Sequence, residues 1–247
     1  MSSPSAVVVG GASGIGAALV AQYRQRGVPV TVWDVQGAPD VTCDIARPEE
    51  IEAAARLTLA GAGLPTWVTV TAGVGHSGLL TETGADEWSR VMDINARGPW
   101  LCLRALAAAM QEAGRPGSMV AVSSISAHVV DRTMGVYCAS KAALNMMVKV
   151  AAAEWGPSGI RVNALAPGVT MTPMLGRAEA GSPWLRGVAE RTALRRLGKA
   201  DDIARAVTAL HEMAWVSGQV LDCDGGLSLH SPIDSYGEIE QAQRSPQ

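Results

Sequence analysis

Residues 5–16 read S-A-V-V-V-G-G-A-S-G-I-G. An apolar run enters a glycine-rich turn, and an Ala-rich stretch follows to about Arg26. This spacing predicts a buried strand over 5–10, a tight loop, and then a helix. A strand without polar alternation has both faces covered, which points to a parallel sheet between helices. Glycines at such a junction let backbone N–H groups approach a pyrophosphate, and the helix N-terminus adds partial positive charge there. Gly10, Gly14 and Gly16 set a G-x-x-x-G-x-G spacing, with Ser13 and Ile15 inside it. A tight turn that binds nothing is the alternative to a dinucleotide site.

The same alternation continues outward. Further strands are predicted at PVTVWD (29–34), DVTCDI (40–45), TWVTVTAG (66–73), GSMVAVSS (117–124), RVNALAPG (161–168) and QVLDCDGG (219–226). Helices are predicted over 48–60, 85–94, 98–113, 135–155 and 201–214, the first opened by Pro48, Glu49 and Glu50 as helix N-termini prefer. Residues 169–198 read as irregular with short helices. The expectation is a doubly wound α/β fold, a seven-stranded parallel sheet with helices on both faces. No linker divides the chain, so one domain is expected over 1–230, followed by a polar tail over 231–247.

Composition narrows the function classes. The 247 residues carry a formal charge of −3, with 48% hydrophobic and 17% charged residues. That balance excludes a disordered chain, and the missing basic surplus argues against nucleic acid. The four cysteines, at 43, 102, 138 and 223, form no C-x-x-C pair and fit neither zinc nor a disulfide scaffold. No catalytic metal is expected. The N-terminus lacks a basic signal region and no run is long enough for a membrane helix, so a cytoplasmic protein is expected. There is no Phe, so any aromatic wall in a pocket must come from the 7 Trp or 3 Tyr.

Asp34 closes the second strand, where an acid can accept hydrogen bonds from ribose hydroxyls. A carboxylate there repels a 2′-phosphate, and neither Ser13 nor Val35 is basic, so NAD is favoured over NADP. Asp44 either pairs with the adenine amino group or caps a turn. The fifth strand ends at Ser124. Tyr137 and Lys141 are i and i+4 on a predicted helix and share a face. Alone, Y-x-x-x-K is a common accident; here it joins a strand-end serine and a cofactor loop at the carboxyl edge of the sheet.

Over about 5–228 the chain resembles the short-chain dehydrogenase/reductases of single-domain type. The glycine loop, T-A-G at 71–73, Asn95, Ser124, Tyr137 with Lys141, P-G-V-T-M-T at 167–172 and D-G-G at 224–226 carry the resemblance. It implies a Rossmann-like fold and an Asn95–Ser124–Tyr137–Lys141 tetrad. Tyr137 would be the acid/base, Lys141 would lower its pKa and hold the ribose, Ser124 would position the carbonyl, and Asn95 would hold a water. Thr172 and the Val169 backbone would bind the nicotinamide carboxamide. Ile45, Ala72, Gly73, Pro167 and Gly168 complete the implied cofactor set. The family's usual Thr is Gly10 here, and its N-N-A-G is V-T-A-G, so a strand clamp is either weaker or replaced by Thr71.

On the substrate side, 173–198 is the family's variable lid and holds Met174, Leu175, Trp184 and Leu185 among Arg177, Arg186, Arg191, Arg195 and Arg196. It reads either as an apolar lid or as a surface helix anchored by Trp184. Ser126 and His128 are expected to line the pocket. His76 either reaches the cofactor or sits on a loop. His211 and His230 read as surface residues, Trp88 and Trp100 as packing, and Trp33 either as a buried strand residue or as the border of an adenine pocket. The helices near 98–113 and 135–155, with Met146 and Met147, build a subunit interface in the family, so a homodimer or homotetramer is expected. The tail is either loose or docked through Ile233 and Tyr236. Three functions follow: an NAD-dependent dehydrogenase interconverting a small hydrophobic secondary alcohol and its ketone; a reductase of CoA- or carrier-bound 3-oxoacyl groups; and a catalytically silent nucleotide-binding regulator.

Overall fold

The computed structural model describes residues 4–175 and 182–229. Part of the expected lid, including Arg177, lies outside them, as do His230 and the tail with Ile233 and Tyr236. Strand β1 (Ala6–Val9) leads to α1 (Gly14–Gln25), β2 (Val30–Asp34), β3 (Val41–Thr42), α2 (Pro48–Gly61) and β4 (Trp67–Val70). Helix α3 (Ala85–Met92) passes through a π turn, Asp93–Arg97, into α4 (Gly98–Glu112). Strand β5 (Gly117–Val122), α5 (Gly135–Trp155), β6 (Ile160–Pro167) and a short β7 (Thr170–Met171) follow. The described chain ends with α6 (Pro183–Arg191), β8 (Gly198–Lys199), α7 (Ala200–Glu212) and β9 (Val220–Cys223), before a last turn at Leu227–Leu229.

The main sheet has seven strands in the order β3-β2-β1-β4-β5-β6-β9, every pairing parallel. The doubly wound, Rossmann-like architecture expected from the sequence is therefore present. β7 and β8 form a separate two-stranded ladder. The order reverses between β1 and β4, which opens a crevice at their carboxyl ends. Two apolar layers sandwich the sheet. Leu101, Leu106, Leu144 and Val148 of α4 and α5 join Ile51 of α2 on one face. Leu19 and Tyr23 of α1 join Ile203 and Val207 of α7 on the other. Each fully buried valine or leucine contributes about 1.5–3 kcal/mol. Trp33 is wholly buried and donates Nε1–H to Thr58 Oγ1 at 2.8 Å, so it belongs to the core and not to an adenine pocket.

Two differences from the sequence reading have a clear physical cause. The third strand shrinks to two residues, because the Asp40 carboxylate accepts the Val32 amide at 2.8 Å and Asp44 caps the next turn through Ala46 N–H at 2.9 Å. The helices expected as separate over 85–94 and 98–113 run on through the π turn, where the Gly98 amide reaches the Asp93 carbonyl.

His211 requires a correction. It is not a surface residue but is buried near the end of α7. Its ring stacks on Trp67 with centroids 5.2 Å apart. Its Nε2 lies 2.9 Å from Thr69 Oγ1 and its Nδ1 lies 3.0 Å from Ser118 Oγ. Burial lowers its pKa to about 3, with the Arg161 charge acting the same way. A neutral imidazole that shares one donor and one acceptor between two hydroxyls satisfies its hydrogen bonds inside the core.

Candidate active site

The glycine turn is built for close approach. Gly10 has φ +83, and a Cβ there would lie 2.5 Å from the Ala72 backbone nitrogen. A Cβ on Gly16 would lie 2.0 Å from the Gly10 carbonyl oxygen. The departure at Gly10 thus follows from a left-handed backbone pressed against the β4 exit. The Thr71 hydroxyl is 3.0 Å from the Val9 carbonyl and 2.9 Å from the Gly10 carbonyl, sharing its proton between them. It clamps β4 to β1. Helix α1 starts at Gly14 with no side-chain cap and no acidic residue in its first turn. A Cβ on Gly14 would lie 3.5 Å from Thr172, so the turn after β7 reaches the glycine loop.

Asp34 ends β2 and is nearly buried. Its Oδ2 accepts the Ala12 amide at 2.9 Å, and its Oδ1 accepts the Val35 and Gln36 amides at 2.8 and 3.1 Å. A lone-pair site remains on Oδ2 for a hydroxyl donor. An uncapped helix N-terminus behind glycines, beside an orienting carboxylate, fits a dinucleotide pyrophosphate and ribose. The Ala72 backbone lies against Gly10, Ile45 is buried, and Asp44 is occupied in capping its turn.

The chemical end forms where β4, β5 and α5 meet. Ser124 caps a short turn, and its Oγ accepts the Ser126 amide at 3.1 Å. Tyr137 and Lys141 occupy one buried face of α5. Lys141 Nζ donates to the Val122 carbonyl at 3.1 Å and lies 5.8 Å from the centre of the Tyr137 ring. Burial lowers the Lys141 pKa to about 8. Burial raises the Tyr137 phenol above its ordinary value, and the Ser124 hydroxyl opposes that rise. Asn95, wholly buried in the π turn, accepts the Val74 amide on Oδ1 at 2.8 Å and donates Nδ2–H to the Val74 carbonyl at 2.8 Å. π turns of this kind often mark functional sites.

Sequence reading passed over Ser140. Its hydroxyl donates to the Tyr137 carbonyl at 2.7 Å and accepts from Asn95 Nδ2 at 3.2 Å. A polar residue three positions past Tyr137, on an apolar helix stripe, was the available signal.

Of the four substrate candidates, Ser126 and His128 share a cavity, and Ser126 is tied through its amide to Ser124. The cavity is about 680 Å³, and its other walls include Leu79, Leu80, Val130, Cys138 and Ala142, with neither Tyr137 nor Trp184 among them. His128 Nε2 sits 3.0 Å from Asp222 Oδ2. Met174 and Trp184 are half exposed, while Leu185 and Val188 anchor α6. His76 turns away to Glu87, at 2.9 Å. Among the described residues, no three His, Cys, Asp or Glu gather in a metal-binding group, and no helix is long and apolar enough to cross a membrane.

This geometry agrees with known proteins. The family described as Enoyl-(Acyl carrier protein) reductase matches residues 10–228. The chain belongs to the short-chain dehydrogenase/reductase family. A 2,5-dichloro-2,5-cyclohexadiene-1,4-diol dehydrogenase of Sphingobium indicum is 34% identical over 248 residues, covering 92% of this chain and 98% of the relative. A 3-alpha-(or 20-beta)-hydroxysteroid dehydrogenase of Mycobacterium tuberculosis is 30% identical, covering 95% of this chain and 93% of the relative. The ligand-free aldohexose dehydrogenase of Thermoplasma acidophilum superposes with a TM-score of 0.87 at 26% identity, over 94% of this chain and 97% of that one. As a member of the short-chain dehydrogenase/reductase family, the protein is an oxidoreductase that uses a nicotinamide cofactor.

Proposed function

We propose that the protein is an NAD-dependent dehydrogenase interconverting a hydrophobic secondary alcohol and its ketone, with Tyr137 as acid/base. The observation that carries this is the buried Tyr137 phenol between the Ser124 hydroxyl and the Lys141 amine at the sheet's carboxyl edge. Relatives named for a diol and for hydroxysteroids support an alcohol as substrate. Bound nicotinamide would accept a hydride from, or return it to, the carbinol carbon.

The residues have distinct tasks. Ser124 Oγ accepts the Ser126 amide, and its O–H, which faces the Tyr137 oxygen, would be shared with a substrate oxygen placed between them. Tyr137 exchanges the hydroxyl proton. Its phenol is held protonated by burial, so alcohol oxidation should quicken as pH rises. Lys141 Nζ, tied to Val122, keeps a cationic donor beside that site. Asp34 holds the ribose hydroxyls, and the absence of a basic neighbour at the exposed Val35 supports NAD over NADP. Gly10, Ser13, Gly14, Ile15 and Gly16 cradle the pyrophosphate, with Pro167, Gly168, Val169 and Thr172 on the nicotinamide side. Met174 and Trp184, exposed in this form, would close over an apolar substrate. One domain to about residue 230, with its lid at 173–198, would carry all of this. The exposed Met146 and Val150 on α5 support pairing with a second copy.

The test is NADH formation with a panel of hydrophobic secondary alcohols and, in reverse, ketones and 3-oxoacyl thioesters. Turnover of alcohols that vanishes in Tyr137→Phe, with NADH binding retained, supports the proposal. Near-normal turnover in that variant defeats the assignment. NADH binding without turnover on any member would favour a silent regulator, and turnover of thioesters alone would favour the acyl reductase.

A further inference from the structure

We propose that Ser140 is a positioning residue for Tyr137, fastening the helix that carries the phenol to the loop leaving β4. This rests on the reading of Tyr137 as acid/base. Ser140 is wholly buried. A hydroxyl has one proton and two lone pairs, so it can donate to the Tyr137 carbonyl at 2.7 Å while accepting from Asn95 Nδ2 at 3.2 Å. The Asn95 amide closes on the Val74 backbone through both its oxygen and its nitrogen. The two Nδ2 protons are thereby used, one on Val74 and one on Ser140.

The result is a continuous chain of contacts from Val74, through the π turn, to the peptide of Tyr137. It fixes three elements at once: the exit of β4, the α3–α4 junction and the start of α5. The chain ends on the carbonyl of the residue that moves the proton. Ser140 bonds three residues back within its own helix, a contact that competes with regular helical bonding and fixes local geometry. Ser140 touches no reacting atom. Its influence runs through the depth and angle at which Tyr137 stands beside Ser124. Both burial and the Ser124 hydroxyl act on the phenol, so displacing Tyr137 changes the pH at which it gives up its proton.

The test is Ser140→Ala in the full-length protein, measured for kcat, KM, NADH dissociation constant, thermal midpoint and pH profile, alongside Tyr137→Phe. A 1 Å misplacement can cost on the order of a hundredfold, so loss of one anchor among several should lower kcat by about tenfold. NADH affinity should stay within about twofold, since no Ser140 contact reaches the glycine loop. The rising limb of kcat against pH should move. A limb that stays in place overturns the proposal whatever kcat does, because a merely structural role lowers the amount of active enzyme without changing its titration. If Tyr137→Phe keeps turnover, the parent reading fails. If that variant is inactive and Ser140→Ala keeps the wild-type profile, only this inference fails. Should Ser140→Ala not fold, Ser140→Cys fills the site with a weaker donor and is held to the same criterion.

Discussion

Lys141 Nζ lies 3.1 Å from the Val122 carbonyl, its one hydrogen-bond acceptor among the described residues. A single neutral acceptor does not replace the hydration of an ammonium, and burial lowers the pKa from 10.5 to about 8. The folded value lies below the unfolded one, so the folded state binds the proton less tightly. The penalty is full below about pH 8 and fades as pH rises towards the unfolded value. It amounts to about 3 kcal/mol at neutral pH. Lys141→Met should therefore abolish turnover yet raise the thermal midpoint by several degrees at pH 7 (about 2–4 °C per kcal/mol at this size). Scanning calorimetry at pH 7 checks this, and a lowered midpoint would contradict it.

His211 makes the fold sensitive to acid. Its imidazole is neutral in the core, with a pKa of about 3 against 6.5 in the unfolded chain. Below 6.5 the unfolded state takes up a proton that the folded state refuses. Stability is complete above that value and falls as pH drops towards 3, by on the order of 5 kcal/mol. Asp202, held at about 2 by Arg196, also loses its contribution in acid, but only as pH falls from its ordinary 3.8 towards 2. Urea unfolding between pH 7 and 5 isolates the histidine. His211→Gln should flatten the slope in that window, and an unchanged slope would place the acid sensitivity elsewhere.

The architecture was legible because its signals are redundant. Buried strands are mostly apolar on both faces, and the glycine turn, Asp34 and Tyr137 with Lys141 follow strands at the carboxyl edge of the sheet. The misread features depend on single side chains. Asp40 ends a strand early by bonding back to Val32, and no propensity announces that. His211 follows Val207 by four positions and Thr208 by three, so it lies on the buried stripe of α7, but its type suggested a surface. Ser140 was hidden the same way on α5. The substrate side was least legible, since Met174 and Trp184 are exposed and their role depends on what comes to cover them.

Thr71 stands where the family places asparagine, and its hydroxyl serves both the Val9 and Gly10 carbonyls. Thr71→Val keeps the shape and removes that proton. Two carbonyls then lose a donor next to the cofactor loop. The expected cost is about 1–2 kcal/mol of stability, together with several-fold weaker NADH binding because the left-handed Gly10 turn loses its clamp. Urea unfolding and NADH titration by fluorescence report the two effects. Unchanged NADH affinity would show that the clamp serves the sheet alone.

Asp34 couples cofactor choice to the shape of the glycine loop. Its Oδ2 receives the Ala12 amide while Oδ1 receives those of Val35 and Gln36. An asparagine keeps one acceptor oxygen, and the two amides on Oδ1 make that its preferred place. Its NH₂ then faces the Ala12 N–H, donor against donor, and pushes the loop outward. Wild-type protein should prefer NADH to NADPH by at least about tenfold, because the carboxylate repels a 2′-phosphate. Asp34→Asn should narrow that ratio chiefly by losing efficiency with NADH, through the displaced loop, with little gain for NADPH, since no basic side chain replaces the lost charge. Val35, exposed at the strand end, is the position where an arginine should add NADPH activity. Comparing kcat/KM for both cofactors in wild type, Asp34→Asn and Asp34→Asn with Val35→Arg separates the contributions. If Asp34→Asn retains full efficiency with NADH, the carboxylate neither holds the ribose nor shapes the loop, and the basis for assigning NAD is lost.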